Sequence, residues 1–132
     1  MSLLIGVNNQ YRGLDADQYR LEFRALLERA IEFARGRPDR VIVLSIPDWG
    51  VTPFAEGEDR EQVAREIDQF NLINREETER ANARYVDVTP ISREAATDPS
   101  LVADDGLHPS GKMYAAWAEL ALPEALAAIG ES

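Results

Sequence analysis

The chain has 132 residues, 45% of them apolar, which is enough for one core and too few for two. Its formal net charge of -10 excludes a nucleic-acid surface, which needs clustered Lys and Arg, because here the arginines alternate with glutamates along helical patterns. With no cysteine and one histidine, disulfides, a thiol nucleophile, a thiolate metal site and a His-rich metal site are excluded as well.

In chain order, residues 2–7 (Ser2-Leu3-Leu4-Ile5-Gly6-Val7) form a near-continuous apolar run that empties into Asn8-Asn9, the pattern of a buried parallel strand. Residues 15–34 carry Tyr19, Phe23, Leu26, Leu27, Ala30 and Ile31 at three- and four-residue steps. That spacing predicts an amphipathic helix, with Asp15 and Gln18 as a capping box and Gly36 and Pro38 as its stop. A second strand over 40–46 stops at Pro47-Asp48, because proline cannot donate to a sheet ladder. The next helix, over 59–83, turns Val63, Ile67, Phe70 and Ile73 inward and Arg/Glu pairs outward. A third strand, 84–88, stops at Thr89-Pro90. The last helix follows Ser110 as N-cap, with Met113, Ala116, Trp117 and Leu120 as its stripe and Pro123 expected to kink or divide it.

Strand and helix alternate, which predicts an α/β domain over residues 1–132 with a parallel sheet and right-handed crossovers. Three strands are few for such a sheet, so upstream strands are expected to be missing. The apolar runs are only strand length, and the start lacks a basic segment followed by an apolar one. Neither a membrane span nor a signal peptide is expected, and the cytoplasm is the default location.

Ligand crevices of open α/β sheets lie beyond the carboxyl ends of the strands, which directs attention to Gly6-Val7-Asn8-Asn9 and to Pro47-Asp48-Trp49-Gly50. An Asn8 amide held after a glycine can donate to a developing oxyanion, although Asn and Gly also end strands routinely. The loop Asp104-Asp105-Gly106-Leu107-His108-Pro109-Ser110-Gly111 holds the only histidine. A carboxylate three residues before an imidazole can accept its Nδ1 proton and leave Nε2 as a general base, while a plain surface loop fits the same residues. A metal held by Asp104, Asp105 and His108 is the weaker alternative, since no further histidine completes a shell.

Together, Gly6-x-Asn8 after an apolar strand and Asp105-x-x-His108-Pro109 before a helix carrying Gly111, Tyr114 and Trp117 resemble the SGNH (GDSL-type) hydrolases. The resemblance implies a three-layer α/β/α, flavodoxin-like fold and ester hydrolysis of a small acyl-ester substrate, with no cofactor and no metal. It implies Asp105 and His108 as two members of a catalytic triad and Asn8 as an oxyanion donor, with Gly6, Asn9 and Trp49 beside the substrate. Trp49, Val51 and Phe54 are expected on the acyl or leaving-group side, and Asn71 is expected to be a buried amide satisfying backbone groups.

The family's Gly-Asp-Ser nucleophile block has no counterpart among Ser2, Ser45, Ser92, Ser100, Ser110 and Ser132, and Asn9 stands where an Asp is more usual. The reading is therefore a hydrolase lacking its first strand or strands and inactive alone, prone to form homo-oligomers through an unpaired strand edge. The rival is a non-catalytic binding module on the same fold.

Overall fold

The structure, a computed structural model, describes residues 2, 3 and 15–129. Strand β1 (Ser2–Leu3) pairs in parallel with β2 (Ile42–Leu44), which pairs in parallel with β3 (Arg84–Val86), in the order β1-β2-β3. Helix α1 (Ala16–Phe33) links the first two strands and α2 (Arg60–Arg80) the next two. A short α3 (Thr89–Ser92) and a long α4 (Gly111–Ala128) follow. The strands are shorter than the apolar runs that foretold them, because only three residues of β2 and β3 exchange ladder bonds before Pro47 and Pro90 turn the chain.

Strand alternation builds the layers. Val41 and Val43 point to one face, where Tyr19, Phe23, Leu27 and Ala30 of α1 meet Val63, Ile67, Phe70 and Ile73 of α2. Ile42 and Val86 point to the other, where Met113, Trp117 and Ala128 of α4 cover them. The result is the expected α/β/α sandwich with a parallel sheet. Asp15 and Ser110 cap their helices as the sequence predicts, accepting from the backbone N–H of Gln18 and Met113, and Asp59 caps α2 by accepting from that of Gln62. Two expectations are corrected. Pro123 does not divide α4, which runs through it: Pro123 and Glu119, whose carbonyl loses its donor, are both exposed, so water can serve that group. Leu120 is 41% exposed instead of joining the inward stripe, which Met113, Trp117 and Ala128 form with Ala121 and Ala125 packed beside them.

A charged lock ties α1 to α2. Glu77, only 3% exposed, accepts from Arg20 at 2.7 Å, Arg24 at 2.8 Å and Arg80 at 3.3 Å. The Arg24 hydrogen bond, with Arg20 behind it, holds this carboxyl down at about 2 against its ordinary 4.5. A depressed carboxyl pKa stabilises the fold above the unfolded value and loses that contribution as pH falls through 4.5 towards 2. Allowing for the partial exposure of the arginines, about 2 kcal/mol should vanish across that window. Urea melts of the wild type and Glu77→Gln at pH values spanning it should show the acid loss in the wild type and a flatter profile in the variant.

Candidate active site

The loop between Val102 and Ser110 is closed at its neck and shaped by its own carboxylate. Val102 bridges Pro109 antiparallel, Ala103 N–H donates to the His108 carbonyl at 2.7 Å, and Ser110 N–H donates to the Leu101 carbonyl at 2.9 Å. Inside it, Asp105 Oδ1 accepts from the N–H groups of Leu107 and His108, both at 2.9 Å. Those two bonds aim Oδ2 at Nδ1 of His108, with which it is in hydrogen-bond contact. Gly106 turns the loop at φ +74°, and its carbonyl accepts from Phe54 N–H at 3.0 Å, docking the loop on the segment Pro53–Ala55. A side chain at Gly106 would be strained by that backbone conformation, although a β-carbon would meet Pro53 only at ordinary contact distance.

The electrostatics suit a relay pair. The His108 side chain, followed by the two backbone donors, pulls the Asp105 carboxyl down to about 2, so the carboxylate stays charged across the physiological range. Nδ1 faces the carboxylate, and Nε2 of His108 has no hydrogen-bond partner among the described residues. Both side chains are exposed, His108 at 68% and Asp105 at 49%, so a reactant can reach the ring. Asp104 is exposed, and the described residues hold no cluster of three or more His, Asp or Glu that could bind a metal.

His108 stands at the rim of a cleft of about 330 Å³. Trp49, 8% exposed, forms part of its wall. Phe54 sets its ring edge-on to Trp49 at 6.1 Å, and neither Phe54 nor Val51 is in the wall. Leu101, Met113 and Trp117 also line it, and sequence reasoning assigned none of these three to the site. Helix periodicity marks Met113 and Trp117 only as core.

The segment that carries Trp49 is fixed from below. Asp48, buried, accepts from Gly50 N–H at 2.8 Å and from Arg93 Nε at 3.0 Å, while Ser92 Oγ accepts from Asp48 N–H at 2.9 Å. Gly50 has no room for a side chain, since a β-carbon would stand 2.8 Å from Val63. At the ends of β2 and β3, Ser45 Oγ accepts from Val88 N–H and Thr89 N–H and donates to Asp87. Asn71 bonds both backbone groups of Ile46 and the Thr89 hydroxyl, the structural role expected of it. Gly6, Asn8 and Asn9 lie outside the described residues.

The sequence matches the model of the GDSL-like Lipase/Acylhydrolase family over residues 1–116. None of the curated proteins matches it. Among solved structures, a tryptophan-to-isoleucine variant of the acetyl xylan esterase Axe2 from Geobacillus stearothermophilus shares the fold with a TM-score of 0.66 at 23% identity, over 94% of this chain and 58% of its own. Wild-type Axe2 matches with a TM-score of 0.60 at 23% identity, over 99% of this chain and 59% of its own. LAE5, an alpha/beta hydrolase enzyme from the metagenome of Lake Arreo in Spain, matches with a TM-score of 0.58 at 22% identity, over 98% and 58%. This chain thus spans less than three fifths of the length of these structures.

Proposed function

The chain belongs to the GDSL-like lipase/acylhydrolase family, and we propose that it supplies the acid–base half of a serine ester hydrolase. The observation that carries this reading is the Asp105 carboxylate held by two backbone N–H groups against Nδ1 of His108, with Nε2 open to the cleft rim. In that role His108 Nε2 takes the proton of a serine hydroxyl as its oxygen attacks the ester carbonyl. It then returns the proton to the leaving alcohol, and water clears the acyl-serine by the same route. Asp105 orients the ring and stabilises the imidazolium. Asn8 is proposed to donate to the oxyanion, and Gly6, Asn9 and Trp49 to flank the substrate.

The nucleophile is proposed to come from sequence outside these 132 residues, because Ser45, Ser92, Ser100 and Ser110 serve structure. Ser45 and Ser92 are buried in backbone hydrogen bonds. Ser110 caps α4, and Ser100 bonds Asp98. That same commitment of Ser45, Ser92, Ser100 and Ser110 is what favours the rival, a binding module. Treating the chain with a fluorophosphonate probe and with p-nitrophenyl acetate should give no serine labelling and only background hydrolysis. Stoichiometric labelling of one serine would show the nucleophile to be in the chain after all.

No described helix is long and apolar enough to cross a membrane. We place the protein in the cytoplasm, acting on a small acyl ester and not on nucleic acid, which its net charge of -10 would repel. Self-association through β1 is part of the same proposal, since β1 pairs only with β2 among the described residues. Light scattering should then give a mass above one chain, and a clean monomer at micromolar concentration would count against it.

A further inference from the structure

We infer that Arg60 is a positioning residue for His108, holding the histidine loop at the mouth of the sheet through the turn at Pro53. The inference rests on the acid–base reading of His108 and deepens it. Proline makes the clamp necessary. Trp49–Val51 and Pro53–Ala55 are successive turns of 3-10 helix, in which a carbonyl is served by the N–H three residues on. Trp49 follows the rule, accepting from Thr52 N–H at 3.1 Å, but Gly50 cannot, because the residue three on is Pro53 and has no N–H. Its carbonyl accepts instead from Nη1 of Arg60, which also donates to the Thr52 carbonyl at 3.1 Å. The next N–H in line, that of Phe54, leaves its turn as well and donates to the Gly106 carbonyl at 3.0 Å. One break in the ladder thus frees a carbonyl for Arg60 and a donor for the histidine loop.

Arg60 is spent on these carbonyls. In a chain with 24 acidic residues, it has no carboxylate partner among the described ones. Gly50 and Thr52 are buried, so a carbonyl stripped of its donor there is costly, and the turn would shift to reach water. What the turn carries is the seat of the loop. Gly106 meets Pro53, and the partly buried Leu107 packs on the core cluster that contains Trp49 and Ala55. The Asp105–His108 pair is tied separately, inside the loop, by the Leu107 and His108 N–H groups on Asp105 and by the neck at Val102 and Pro109. Arg60 therefore sets where the imidazole stands, while Asp105 sets how its ring is turned.

Arg60→Met keeps the apolar stem and removes the donor, and Arg60→Lys returns a donor. In isotope-labelled chain, Arg60→Met should speed hydrogen exchange at Phe54 N–H by about tenfold or more while Ile67 and Phe70 in α2 keep their rates. It should also weaken the nuclear Overhauser contact between Gly106 Hα and Pro53. Arg60→Lys should recover part of both, and the ¹⁵N signature of the His108 ring should stay that of the parent. In a protein that presents a serine to His108, Arg60→Met should lower kcat by about 10²-fold with KM little changed, the loss expected for a reacting group misplaced by about 1 Å. The inference is overturned if Phe54 exchange and the Gly106 contact match the parent, if exchange rises equally along α2, or if the kinetic loss falls on KM with kcat intact. A wild-type ring protonated on Nε2 would instead sink the acid–base reading, and the exchange data would still show whether Arg60 holds the loop.

Discussion

Arg93→Ala should lower the folding free energy by about 3 kcal/mol, a large share of a typical domain's stability. The cause is the carboxylate it abandons. Asp48 has a side chain only 2% exposed, and among the described residues Arg93 Nε is its one charged partner, with Gly50 N–H the remaining donor. Removing the guanidinium leaves a buried charge uncompensated, which costs more than the pair itself contributes. The pairing of Arg93 with Asp68, 2.8 Å away but with an Asp68 side chain 62% exposed, should matter little: Asp68→Ala is expected to cost less than about 1 kcal/mol. Denaturant melts of both variants, and of Arg93→Ala combined with Asp48→Asn, decide the point. The double variant should recover most of the loss, and equal costs for Arg93→Ala and Asp68→Ala would refute the buried-charge account.

His108→Ala carries the other large effect, read in a protein that presents a Gly-Asp-Ser serine to these residues. Without the imidazole no group takes the serine proton, and turnover should fall by about 10⁶-fold. Asp105→Asn should keep the ring but lose control of its tautomer, for a loss of about 10⁴-fold. Neither exposed side chain supports the core, so both variants should melt like the parent. Steady-state hydrolysis of a p-nitrophenyl ester measures both. A loss under tenfold for His108→Ala would remove it from the chemistry.

Local signals were legible in the sequence. Helices α1 and α2 follow from apolar residues at helical spacing and from caps three residues ahead, because a helix buries one stripe whatever it packs against. The Asp105–His108 pair was legible for the same reason, as both partners sit in one short loop. Long-range pairings left no trace. Asp48 and Arg93 are 45 residues apart, and nothing in either segment announces the other. The cleft joins Trp49 to Met113 and Trp117, which only the packing of α4 over Ile42 and Val86 brings together. That α4 is not divided at Pro123 was not legible, because the penalty of a proline in a helix depends on whether water reaches the carbonyl it orphans, a property of the surface and not of the sequence pattern.

The protonation of the His108 ring tests the central claim most directly. In ¹⁵N-labelled chain, with the imidazole neutral, the nitrogen shifts should report a proton on Nδ1 and a bare Nε2, and Asp105→Asn should abolish that preference. A neutral ring that carries its proton on Nε2 in the wild type would mean that the carboxylate does not hold the imidazole as a base.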